Sequence, residues 1–293
     1  MSAVGTLRSK IKSSVPGWRL IGGPFLFGFL LLLTPLLLMI LLSFWTQNYL
    51  KLDRTFTINN YVEVFSHPVY FTLIKRSLNI SLLVTLTTVL LAFPVAYYIS
   101  FYGGKRKAIL LFLITIPFWT SYLLRIFLWK IILGYNGVIN SGLMSLNIIE
   151  EPLSFIIYNS NAVVLALAHA YAPFAILPIF VSLEKIDRSL LEAGRDLGDS
   201  ALRSFFRITL PLAMPGLIAA ALIIFIPTIG DYVTPRLVGG TDGIMIANMI
   251  QVQFSKANNA PLGTALAIVS LSIVVFISLL FILINRRYLR RQV

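Results

Sequence analysis

The chain has 293 residues, of which 58% are hydrophobic and 12% charged, with a formal net charge of +13 at pH 7. That is a membrane composition and excludes an ordinary soluble domain. With no cysteine there are no disulfides, thiol nucleophiles or cysteine metal sites, and in so apolar a chain the excess Lys and Arg belong on cytoplasmic loops beside anionic lipid, not on nucleic acid.

Residues 1–20 carry Arg8, Lys10, Lys12 and Arg19 and no acid, which predicts a basic cytoplasmic tail. The apolar run Ile21–Phe44 lacks a small-residue cleavage site, so it is expected to be an uncleaved first span and not a signal peptide. Residues 46–77 are polar. The second half of that segment, from Asn59, has aromatics at irregular helical spacing and is expected along the outer interface. Leu78–Phe101 reads as span two, and the tight basic turn Gly103–Lys107 leads to span three, Ala108–Leu133. An outer loop at 134–160 holds Glu150 and Glu151 and no Lys or Arg. Asn161–Leu183 reads as span four, Leu212–Gly230 as span five after a long polar loop, and Leu262–Asn285 as span six after an outer loop at 231–261. Sixteen Lys and Arg fall on the side of the N-terminus and six on the other. The positive-inside bias then gives an all-α membrane protein with six transmembrane helices and both termini in the cytoplasm. Its divisions are a basic tail (1–20), a first helix with an outer segment (21–77), a transmembrane domain (78–285) and a second basic tail (286–293).

The loop at 184–211 is the longest polar interruption in the second half. Leu190, Leu191 and Leu197 recur with helical spacing, while Gly194 and Gly198 weaken helix between them, so two short amphipathic pieces with a bend are expected. Pro211 opens the next apolar run, where a missing N–H costs nothing.

No G-x-x-x-x-G-K-[ST] occurs, so this chain has no P-loop for ATP. Ser182-x-x-Lys185 lacks the companion motifs of a serine nucleophile, and Gly194-x-x-x-Gly198 lies in a charged loop where a helix-dimer motif has no meaning. His67 and His169 are the only histidines, and His169 reads as a hydrogen-bonded packing residue, not a metal ligand. Ionisable groups inside spans are costly. Arg125, roughly 26 Å along a straight span three, has two readings: snorkelling to the outer interface, or lining a solute path. Lys130 reads as a snorkeller, and Trp119, Tyr122 and Trp129 as an aromatic belt or as pathway walls. Pro227 is expected to break span five near its outer end. Asp231 and Tyr232 follow at the outer mouth, where Asp231 lines a solute route, caps local structure or pairs with Arg236.

The loop carries one further pattern. Glu192-Ala193-Gly194, three residues, Gly198, nine residues and Ile208-x-Leu210-Pro211 resemble the EAA coupling motif of ABC importer permeases, with Gly194 where alanine is usual. Pro117-Phe118-Trp119-Thr120 through Arg125, Ile132-Leu133-Gly134 with Asn136-Gly137, and Gly230 to Pro235 with Leu237 to Gly240 resemble the spermidine/putrescine class of these permeases, over roughly residues 20 to 285. The resemblance implies a type I ABC importer permease fold and uptake of a polyamine or related nitrogenous solute. It implies a non-catalytic chain in the bacterial inner membrane, binding no cofactor. The partners implied are an ATPase dimer holding ATP and Mg, a second and different permease chain, and a periplasmic or lipid-anchored binding protein. Glu192, Ala193, Gly194, Asp196, Leu197, Gly198, Leu210 and Pro211 would couple to the ATPase. Trp119, Tyr122, Arg125, Asp231 and Tyr232 would line the solute route. The class often has an acid where Arg236 stands, a charge reversal that leaves a non-polyamine solute open. An ion-coupled secondary transporter needs titratable or cation-coordinating groups at mid-membrane, and the clear span charges here are the basic Arg125 and Lys130.

Overall fold

An apolar segment in hydrocarbon has no water to bond its backbone, so each N–H and C=O is paired within the segment, and helix follows. The computed structural model describes residues 17–49, 51–156 and 158–289, without the side chains of 17–20. Most of the first basic tail (1–16) and the end of the second (290–293) therefore lie outside the described residues. Six helical stretches among the described residues are long and apolar enough to cross a membrane.

The first is α1, Gly17–Ser43, which runs beside α13 at the edge of the bundle with its apolar stretch left unburied. Its end is pinned where Asn60 Nδ2 donates to the Ser43 and Trp45 carbonyls at 2.7 and 2.8 Å. A small antiparallel hairpin, β1 (Thr46–Asn48) with β2 (Lys51–Asp53), occupies the first half of the polar segment, and α2 (Asn59–Ser66) opens the half expected along the outer interface. Span two begins ten residues earlier than expected: α3 runs Pro68–Tyr102. At 1.5 Å per residue its 35 residues extend about 52 Å, well beyond a hydrocarbon layer of about 30 Å. The extra turns pack at the end of the bundle away from the 184–211 loop, the far end below.

Span three is not the single helix expected. It divides into α4 (Lys107–Thr115), a 3-10 turn at Ile116–Trp119, an extended residue at Thr120, and α5 (Tyr122–Leu133). Pro117 removes an N–H at the break. A second interruption at Gly134–Gly137 leads to α6, Val138–Ser145. The straight-helix depth assigned to Arg125 is thereby withdrawn. α7 (Ser160–Glu184) is span four. α8 (Arg188–Asp196) ends in a turn at 197–200, after which α9 (Ala201–Ser204) and a π-helical turn at Phe205–Thr209 lead without a gap into α10, Leu210–Ile229. Pro211 thus sits inside a continuous helical path and not at a fresh start. The wide turn before it ends with Leu210 N–H on the Phe205 carbonyl, a register suited to a next residue with no N–H to offer. Pro227 does not break α10 either; the helix ends at Ile229, and Gly230 N–H returns to the Pro227 carbonyl at 3.1 Å. The expected loop at 231–261 holds α11 (Val233–Val238) and α12 (Ile246–Ser255), followed by α13 (Ala260–Ile284) and α14 (Arg286–Leu289).

The core is α3, α7 and α10, built on small residues: Ala92 and Ala96, Ala166, Ala170 and Ala175, Ala213 and Ala220. Lipid gives helices no hydrophobic reason to associate, so close packing of small side chains has to hold them. Gly216 marks the closest approach, since a Cβ there would strike the Pro178 carbonyl and the Ser182 side chain of α7. A second cluster at the far end gathers Val64, Tyr70, Leu73, Phe225, Ile246 and Leu262.

Gly216→Ala should therefore separate α7 from α10, because the atoms it meets include backbone. The expected cost is about 1–3 kcal/mol, read as lower thermal stability of the detergent-solubilised protein. An unchanged melting temperature would mean that this contact does not hold the core.

Candidate functional site

Two places bring the chemistry-bearing residues together: the 184–211 loop and the far end of α10. The loop is a set of short helices with complete caps. Asp187 accepts from Ser189 N–H at 3.0 Å and starts α8; hydrogen bonding from Ser189 holds its carboxyl below the usual carboxylate range. That cap is present at neutral pH and is lost as the pH falls through the lowered pKa. α8 ends in a Schellman motif. Asp199 N–H donates to the Gly194 carbonyl at 3.0 Å and Gly198 N–H to the Arg195 carbonyl at 2.9 Å. Gly198 takes φ +85°, a left-handed conformation that a Cβ resists. Ser200 caps α9 by accepting from Arg203 N–H at 3.3 Å. Arg207 Nη1 binds the Asp199 carboxylate at 3.1 Å and ties the π turn to the end of α8.

Gly194 is buried in this arrangement. A Cβ there would lie 2.8 Å from Ile208 Cδ1, so its smallness serves packing inside the loop, not approach by a partner. Glu192, Ala193, Asp196 and Leu197 point outward, Leu197 at 88% exposure, joined by exposed Leu190, Leu202 and Phe206. Glu192 and Asp196 have no ion-pair partner among the described residues. Leu210 and Pro211 are half-buried at the head of α10. The loop is anchored to the bundle by Phe205, edge-on to Phe93 of α3 at 5.6 Å, and by Lys107 of α4 on Glu184 at 2.8 Å.

At the far end, Asp231 is 9% exposed. Its Oδ1 accepts from the N–H groups of Val233 (2.9 Å) and Thr234 (3.3 Å), and its Oδ2 accepts from Tyr122 OH at 2.7 Å. The same phenol oxygen is 2.7 Å from Thr234 Oγ1. Asp231 therefore caps α11 and ties it to α5; it makes no ion pair with Arg236 among the described residues. Arg125, one turn beyond Tyr122, does not snorkel: it is 8% exposed and donates from Nη1 to the Ala170 carbonyl of α7 and from Nη2 to the Thr120 carbonyl, both at 3.2 Å. Its Nε is buried without a partner. Trp119 is 81% exposed at the break in span three and stands apart from this cluster, as does Tyr232, whose ring borders a groove on the opposite side. His169 Nδ1 accepts from Trp129 Nε1 at 3.2 Å, a packing pair.

Sequence reasoning missed Thr234, Asp199, Ser200 and the Lys107–Glu184 pair. Asp231-x-x-Thr234 and Ser200-x-x-Arg203 have the spacing of a helix N-cap and its third residue, a signal that would have found two of them. The ion pair joins residues 77 positions apart and leaves no local trace.

The family described as binding-protein-dependent transport system inner membrane component matches residues 88–291. The spermidine/putrescine transport system permease protein PotB of Escherichia coli (strain K12) is 38% identical over 260 residues, 88% of this chain and 94% of that one. The PotB of Haemophilus influenzae is 36% identical over 264 residues, 89% of this chain and 91% of that one. Among solved structures, a chain of a bacterial ABC transporter involved in import of the acidic polysaccharide alginate superposes with TM-score 0.71 at 18% identity, covering 92% of this chain and 96% of that one.

The loop geometry makes Gly198 a backbone requirement, because nothing lies within 4 Å of its missing Cβ. Gly198→Ala should cost about 1–2 kcal/mol through strain alone. Amide exchange across 194–199 should then accelerate about 5–30-fold, with Gly198→Asn milder. Equal exchange in the alanine variant and the unaltered protein would refute the strain argument.

Proposed function

We infer the function from one premise: this chain belongs to the family of binding-protein-dependent transport system inner membrane components. It is a multi-pass inner-membrane permease subunit of an ABC importer. Its cargo is a polyamine of the spermidine and putrescine kind. The observation that carries this is 36–38% identity, over most of both chains, to permeases of spermidine/putrescine transport.

The rest of the machine is supplied by other chains. The sequence has no P-loop, so hydrolysis, with its ATP and Mg, belongs to a pair of ATPase subunits, and this chain is non-catalytic and binds no cofactor. A second, related permease and a binding protein complete the importer. The loop end faces the cytoplasm with both termini, in keeping with the imbalance of sixteen basic residues to six. There Glu192, Ala193, Gly194, Asp196, Leu197, Gly198, Leu210 and Pro211 form the coupling element. Leu197, Leu190 and Ala193 offer the ATPase apolar surface, and the unpaired Glu192 and Asp196 fix its register. Gly194 contributes from inside by seating α8 on Ile208. A push on α8 passes through the Schellman end and the Asp199–Arg207 contact into the π turn and α10, whose other end carries Asp231.

The solute route passes that end. Asp231 and Tyr122 form a latch between α10, α11 and α5, and Arg125 fixes α5 to α7. Trp119 and Tyr232 offer exposed aromatic faces on either side. When α10 moves, the phenol releases the carboxylate and an ammonium group takes its place.

Glu192→Arg should leave membrane insertion and the fold intact, since Glu192 is exposed and unpaired, and should lower uptake by about tenfold through mismatched charge at the ATPase contact. Reagent labelling that places residue 192 on the periplasmic side would refute the coupling role. Asp231→Asn keeps an acceptor for the α11 amides and can exchange roles with the Tyr122 hydroxyl, so the protein should fold. Vesicle uptake of spermidine should fall while ATPase coupling and binding-protein affinity stay normal. Uptake at the unaltered rate, with Asp231→Ala merely less stable, would reduce Asp231 to a cap.

A further inference from the structure

We propose that a transit site for an aliphatic oligoamine cation lies in the groove between α10, α12 and α13, on the side of α10 opposite the Asp231–Tyr122 latch. This deepens the polyamine reading above and rests on it. The groove has a volume of about 390 Å³, within the range of small-molecule sites, and begins at Gly230 and Tyr232 where α10 ends. Its walls are aliphatic, with Ile226, Ile250 and Leu271 prominent, and among its lining residues there is neither a Lys or Arg to repel a cation nor an Asp or Glu to trap one.

Three polar points interrupt the apolar wall. Ser270 is 8% exposed and its Oγ has no partner. Ser81 of α3 is likewise unpaired, whereas Ser77, Thr85, Thr88, Thr228 and Thr264 each bond the carbonyl one turn back along their own helix. A buried hydroxyl without a bond favours any ligand that supplies one. Ser278 is also unpaired, but lines a cavity of about 100 Å³ with none of the other polar features. Gln251 donates from Nε2 to Ser255 Oγ at 3.1 Å, and its Oε1 is left as a free acceptor among the described residues. Tyr232 presents a half-exposed ring. A hydroxyl, an amide oxygen and an aromatic face separated by methylene walls match a chain whose ammonium groups are separated by methylenes. A lipid acyl chain would fill the walls and leave Ser270 unbonded.

The chain has no cysteine, so a single thiol can report on the groove. Ala267, half-buried in the lining, is changed to cysteine and the chain assembled in vesicles with its ATPase, partner permease and binding protein. Cationic 2-aminoethyl methanethiosulfonate should label the introduced thiol, as read by mass spectrometry of this chain, and spermidine during turnover should slow labelling where butane-1,4-diol does not. Labelling by a lipophilic maleimide alone means that lipid covers the groove. No labelling in the complex, with labelling of the isolated chain, means that the other permease covers it. Labelling without protection means that the cation passes elsewhere. Each of these overturns the assignment. In parallel, Ser270→Ala should slow spermidine uptake about fivefold at saturating binding protein, the loss of one hydrogen bond, and Ala267→Phe should slow it further while the complex still hydrolyses ATP. Absence of spermidine uptake by the unaltered transporter sinks the polyamine reading and this site with it; unaltered uptake by both groove variants sinks the site alone.

Discussion

A polar group in hydrocarbon has to find its partner inside the protein, and the arrangement of this bundle follows from that requirement. Arg125 and Asp231 are both buried at one end of the core, and an ion pair between them would neutralise both. The fold instead holds each with dipoles: two backbone carbonyls for the guanidinium, two backbone amides and a phenol for the carboxylate. The difference is mechanical. Breaking a buried ion pair leaves a bare charge and costs about 3–5 kcal/mol, whereas a phenol released from Asp231 still has the Thr234 hydroxyl beside it. When the joint between α5 and α11 opens, the phenol keeps a partner and the carboxylate keeps its two α11 amides.

The same constraint makes α10 the element that joins the two ends. Its 20 residues span about 30 Å, the thickness of the hydrocarbon layer, and the π turn at its head carries helix across Pro211 without a break. One end is attached to α8 through Asp199, the other leads straight into Asp231, and Gly216, about a third of the way along, sits against Pro178. The helix is thus held near one third of its length and tied by polar contacts at both ends.

The number of spans and the offsets of the loop motif were legible because each depends on local composition. Gly198 was legible for a further reason: it ends a helix, and the requirement for a positive φ is written in the residue itself. The breaks were not legible. Proline occurs inside α1 at Pro24 and Pro35, inside α3 at Pro94 and inside α7 at Pro173 and Pro178, and none of these helices stops there. Pro117 interrupts span three, while Pro227 does not interrupt α10. Whether a proline breaks a helix depends on who pairs the freed carbonyls, and those partners come from other elements. At the break in span three the Leu113 carbonyl, which Pro117 cannot bond, accepts from Ile116 N–H, and Arg125 bonds the Thr120 carbonyl beyond it. The inward face of Gly194 was hidden for the same reason, since it is decided by Ile208 after the chain has turned back. The Asp231–Tyr122 contact joins residues 109 apart, and no periodicity reaches that far.

A transporter has to let its cargo go, and this bears on where charge is placed along the route. A free carboxylate facing an ammonium at about 4 Å contributes about 4 kcal/mol at an effective dielectric constant of 20, enough to lengthen residence nearly a thousandfold. Contacts with an aromatic face contribute about 0.5–2 kcal/mol. In the conformation described here the acid is bonded to Tyr122 and the α11 amides, and the groove across α10 holds only neutral acceptors. On the proposed route, a cation would meet strong attraction only while the latch is open, and weak attraction once Tyr122 has recaptured Asp231. On that route, closing the latch again would withdraw the charge that opening it exposed. The proposed groove then needs no charge of its own.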